Sequence, residues 1–156
     1  MTLISRRLFL AGVTASVAGL PALAQIRETF LTLTPAGAVA EVTRAQREGE
    51  ILTVTARFTA FEPDYAGEVI YENLTPSEVI QGVYLKTGDR DFGVWSEGGT
   101  LQLPDALHLA PHSGGPNPEI VGEWTAVFIA PTLDVREITL LLPGMLPIGH
   151  FIIRDR

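Results

Sequence analysis

Apolar and polar residues alternate without a break from Ile51 to Ala60. Leu52, Val54, Ala56, Phe58 and Ala60 fall on one side, and Thr53, Thr55, Arg57 and Thr59 on the other. A period of two over ten residues predicts a strand with one buried face. Val39–Arg47 reads as its hairpin partner across the turn Glu48-Gly49-Glu50, and Glu28–Thr34 as an earlier strand ended by Pro35-Ala36-Gly37. Val79, Gln81, Val83 and Leu85 alternate with Ile80 and Tyr84, which predicts another strand. Asp91–Trp95 returns from the turn Thr87-Gly88-Asp89-Arg90, and Thr100–Leu103 follows the turn Glu97-Gly98-Gly99. Residues 104–119 hold four prolines, two glycines and two histidines and read as one long loop, a kind of segment that is often functional. Strands resume at Glu123–Ile129, Val135–Leu142 and His150–Ile153. No ten-residue stretch after the leader carries a convincing 3.6 period, although Asp64–Leu74 has room for a helical turn. Short strands separated by Gly/Pro turns predict an all-β, antiparallel sandwich or barrel in a single domain. The expected core holds Val54, Phe58, Trp124, Phe128 and Leu140.

The first 24 residues follow another plan. Arg6 and Arg7 precede a mostly apolar run from Leu8 to Leu20. Pro21 ends it, and Ala22-Leu23-Ala24 supplies the small residues of a cleavage site. The run is too short and too diluted by glycine to serve as a spanning helix, which needs about 20 apolar residues. Arg6, Arg7 and Phe9, within "SRRLFLAG", resemble the twin-arginine export signal. The reading is a cleaved signal peptide over 1–24 and a mature domain over 25–156, periplasmic or secreted, with no stable membrane anchor after cleavage. The twin-arginine export machinery is then a partner during transport.

Composition narrows the chemistry. The chain has 11 basic and 18 acidic residues. Residues 1–24 take away two arginines and no acid, leaving the mature part with 9 basic and 18 acidic residues, a net charge of −9. That balance offers no electrostatic footprint for nucleic acid. With no cysteine, disulfides, thiolate nucleophiles, iron–sulfur clusters and thiolate zinc sites are all excluded.

Two stretches carry a family likeness. Trp124, Phe128, Ala130, Pro131, Asp134, Val135, Ile138, Leu140, Leu142 and Pro143 in "EWTAVFIAPTLDVREITLLLPG", with the hairpin "YLKTGDRDFGV" at 84–94, resemble small bacterial secreted immunoglobulin-like domains. The resemblance implies an immunoglobulin-like β-sandwich over about residues 38–153 and carries over no catalytic residue. This chain has Gly149-His150-Phe151-Ile152 where the family has Asp-Val-Pro-Ile.

The expected function is that of an exported binding or structural module without catalytic activity or cofactor, working on an unidentified periplasmic protein partner. The alternative is a metal-binding protein. His108 and His112, with Met145 and His150, are donors suited to copper or zinc. Such a site needs three or four ligands converging at about 2.0–2.3 Å, and the plainer reading makes these solvated loop histidines. Asp89 and Asp91 lack the later glycine and carboxylate of a calcium loop, so a turn accounts for them. A hydrolase is the weakest reading. Ser113 beside His112 is no triad, and there is no G-x-S-x-G motif. Tyr84, Phe92 and Trp95 gather at one hairpin, with the core as their expected place and an exposed patch as the alternative.

Overall fold

A computed structural model describes residues 31–156. The chain runs through β1 (Thr32–Leu33), β2 (Val39–Glu48), β3 (Ile51–Ala60), β4 (Glu68–Glu72) and helix α1 (Pro76–Gly82). It continues through β5 (Tyr84–Thr87), β6 (Arg90–Gly93), β7 (Ser96–Glu97), β8 (Thr100–Leu101), β9 (Ala106–Leu109) and β10 (Glu119–Ile129). β11 (Glu137–Leu141), β12 (Ile148–Ile152) and β13 (Arg154–Asp155) complete it. The export-signal residues Arg6, Arg7, Phe9, Ala22 and Ala24 lie outside the described residues.

The fold is all-β and sandwich-like. One sheet has the order β1-β2-β3-β10, with β13 pairing parallel to β2, and a second has the order β12-β11-β5-β6. β3 shows the expected alternation: Leu52, Val54, Ala56, Phe58 and Ala60 are buried, and the residues between them are half-buried. Trp124, Phe128, Phe58, Leu52 and Val54 come from the first sheet. They belong to the same core cluster as Leu85, Ile138, Leu140 and Ile148 from the second. An isolated bridge between Val94 and Phe128 stitches β6 to the first sheet.

Two bulges change the phase of the pattern. The β2–β3 register shifts between Val42 and Arg44, so the buried set passes from Ala38 and Ala40 to Ala45 and Arg47. An inserted residue reverses which side chains face inward. Arg47 is thereby turned into the core, where its Nη2 donates to the Val135 carbonyl (2.8 Å) and its Nη1 pairs with Asp155 (3.2 Å). In β10 the shift between Ile120 and Gly122 sets the buried residues Val121 and Trp124 three apart.

Three expectations are corrected. Residues 76–82 are a helix and not the start of a strand. Thr75 caps it, accepting from the Glu78 amide while the Glu78 carboxylate accepts from the Thr75 amide, and Pro76 opens the first turn. Residues 68–72 are a strand where a helical turn had room. The expected loop at 104–119 contains β9, paired antiparallel with β4. The expected strand at 28–34 is seen as Thr32–Leu33, and residues 28–30 lie outside the described residues.

Candidate functional site

The four metal candidates sit on different parts of the fold. His108 is an exposed residue of β9, and its Nε2 is 2.9 Å from a Glu72 carboxylate oxygen on β4. His112 lies three residues past the end of β9 and is buried, which corrects its reading as a solvated loop residue. The Gly114 amide donates to its Nδ1 (2.9 Å), which makes Nδ1 an acceptor. Nε2 therefore carries the proton and donates to the Asn117 carbonyl (3.0 Å). The His112 amide donates to the Tyr65 carbonyl (2.9 Å), so both ring and backbone hold the 110–118 segment in place. His150 is on β12, with Nδ1 3.3 Å from the Thr139 hydroxyl, and Met145 packs against the core. Among the described residues no three His, Asp or Glu side chains converge as a metal site.

A second polar cluster ties the β1–β2 turn to β4. The Glu68 carboxylate accepts from the Tyr65 hydroxyl (2.9 Å), the Ala36 amide (3.1 Å) and the Thr34 hydroxyl. Thr34 is itself buried and accepts from the Ala38 amide (2.9 Å). Burial, and then the adjacent Glu68 carboxylate, pushes the Tyr65 phenol well above its ordinary range.

Among the described residues, a cleft lies apart from these clusters. A cleft of about 300 Å³ opens where the end of β4, helix α1, the β7–β8 hairpin and the segment leading into β9 meet. Its lining includes the apolar Leu74 and Val79, and Leu101 and Leu103 from the β8 region, beside polar Asn73, Thr100 and Asp105. Tyr71 connects this lining to the core. The Trp124 indole N–H donates to the Tyr71 hydroxyl (2.6 Å), which in turn donates to the Pro104 carbonyl (3.0 Å). Tyr71 and Trp124 are both buried. Burial raises the Tyr71 phenol above its ordinary value, the bond from Trp124 opposes the rise, and the charge of Asp105 adds to it.

Two polar lining residues are joined through their backbones. Asn73 adopts φ +50°, a left-handed conformation that non-glycine residues seldom take and asparagine tolerates best. In this pose the Asn73 amide donates to the Asp105 carbonyl (2.8 Å). The Asn73 side-chain amide and the Asp105 carboxylate have no hydrogen-bond or ion-pair partner among the described residues.

Sequence reasoning drew none of these residues together. The aromatic hairpin residues Tyr84, Phe92 and Trp95 are half-buried, with Phe92 packed on the core, and they do not line the cleft. No family model, curated protein or solved structure matches this chain.

Proposed function

We propose that this chain is an exported binding module without catalytic activity, and that the cleft beside Tyr71 receives what it binds. The observation that carries this reading is a cleft whose lining joins apolar side chains to the unpartnered side chains of Asn73 and Asp105, whose backbones are bonded to each other. Binding clefts characteristically combine an apolar lining with a few placed polar groups, and about 300 Å³ lies at the small end of their range. The lining suits holding more than turnover. The Tyr71 hydroxyl is engaged on both sides, and its raised phenol makes it a poor base near neutral pH. The leader reading puts this module in the periplasm or outside the cell, delivered by the twin-arginine machinery.

The test is an amide-shift screen of small amphipathic fragments against the mature, isotope-labelled domain. Shifts confined to Asn73, Val79, Thr100, Leu101 and Asp105 are expected. A screen in which no fragment moves these amides would overturn the cleft as the binding site. Recovery of the chain in the periplasm with its amino terminus at Gln25 is expected from the leader, and retention of residues 1–24 in the exported protein would refute it.

A further inference from the structure

We infer that the cleft selects a small organic amine, with the ammonium group on the Asp105 carboxylate and the apolar body over Leu74, Val79, Leu101 and Leu103. This inference rests on the cleft being the binding site. Among the residues lining the cleft Asp105 is the only charged one, and no basic side chain accompanies it. The local field therefore has one sign, and the chain's net charge of −7 reinforces it at longer range.

Asp105 is also held in place. The residue before it accepts the Tyr71 hydroxyl through the Pro104 carbonyl, and its own carbonyl accepts the Asn73 amide. A carboxylate fixed at its backbone loses less entropy on pairing than one on a free loop. The nearby acids are committed elsewhere. Glu72 pairs with His108, and Glu78 caps α1, where bonds from the Thr75 side chain and amide hold its carboxyl below the usual range. That leaves one acidic group in a lining that also holds Leu74, Val79, Leu101 and Leu103, an arrangement that discriminates by charge at one end of the ligand and by shape along the rest.

The experiment compares phenethylamine with its neutral isostere 2-phenylethanol and the anion phenylacetate, titrated by amide shifts on the mature domain and on Asp105→Asn. The expected order is amine over alcohol over acid. An advantage of the amine over the alcohol of roughly twofold to fivefold is what a solvent-facing ion pair supplies. Asp105→Asn should bring amine and alcohol level by lowering the affinity for the amine. Added salt should shrink the amine advantage in the parent protein, a readout that does not depend on the variant folding. Equal binding of amine and alcohol at the cleft would overturn the amine inference and leave the binding-cleft reading standing. An amine preference that persists in Asp105→Asn would overturn the role of Asp105. No shift at the cleft with any of the three compounds would overturn both the inference and the reading beneath it.

Discussion

Removing one oxygen atom tests how the cleft is fastened to the core. In Tyr71→Phe the ring remains and the hydroxyl is lost. The Trp124 N–H, on a side chain only 2% exposed, then has no acceptor. Leaving a buried donor unsatisfied costs about 1–3 kcal/mol. The Pro104 carbonyl also loses its donor, but Pro104 is half-buried and water can replace the bond, which adds about 0.5 kcal/mol. The expected loss is therefore about 1.5–3.5 kcal/mol, read from urea unfolding followed by far-UV circular dichroism, with the slope unchanged between parent and variant. The same substitution in a Trp124→Phe background leaves no indole donor stranded. Its cost there should fall by about 1–2 kcal/mol, a coupling that a double-mutant cycle measures directly. A Tyr71→Phe variant within about 0.5 kcal/mol of the parent, or a cycle in which the two changes simply add, would refute the bridge as an energetic link.

Three further outcomes follow from the packing. Gly67 has φ +79°, and a Cβ there would sit 2.6 Å from the Leu109 carbonyl oxygen and 3.0 Å from the Pro111 nitrogen, both backbone atoms. Gly67→Ala should cost more than about 1 kcal/mol in the same unfolding assay, and a neutral result would show that β4 and the end of β9 are less closely apposed. Asp155→Ala strands the buried Arg47. Removing one partner of a fully buried pair costs about 3–5 kcal/mol, but Asp155 is 38% exposed, so screening reduces the expected loss to about 1–2 kcal/mol. Arg47→Met should cost less than Asp155→Ala, and the reverse order would contradict the account of a buried charge. The raised phenols of Tyr65 and Tyr71 favour the native state while they are protonated. Their contribution is complete below the ordinary tyrosine value of about 10 and is lost as pH rises from there through the folded-state values. The unfolding midpoint should fall on that side, with the tyrosinate absorbance appearing together with unfolding; ionisation of both phenols in the intact fold would refute it.

How far the sequence could be read depended on whether a local rule ran unbroken. β3 was legible because ten residues keep one period and face one core. Trp124, Phe128 and Leu140 were legible as core for the same reason. Arg47 was hidden by the bulge at Val42/Arg44, which reverses the phase within a stretch that still looks like one strand. Helix α1 was hidden by a false period: Val79, Gln81, Val83 and Leu85 alternate across a helix end and a strand start. Its signal was present in Thr75-Pro76-Ser77-Glu78, a capping box with proline in the first turn. β9 is only four residues long and stands among prolines, so composition concealed its pairing with β4.

The cleft was illegible for a different reason. Its residues come from three separate stretches, 71–79, 99–101 and 103–105, and neither spacing nor motif joins them. They meet because the sheet buries Trp124 in the core, where its indole N–H fixes Tyr71, and Tyr71 fixes Pro104. The Asn73–Asp105 backbone bond then follows directly beyond the Glu72–Ala106 pair that ends the β4–β9 ladder. The geometry at Asn73 and Asp105 is thus set by the same short chain of bonds that secures the β4–β9 ribbon to the sandwich. Loss of the Tyr71 hydroxyl should therefore weaken ligand binding as well as stability, although no ligand need touch that oxygen. A change at Asp105, outside the chain of side-chain bonds, should alter selectivity and leave stability nearly unmoved. Separating those two effects distinguishes a built binding site from a gap left between short strands.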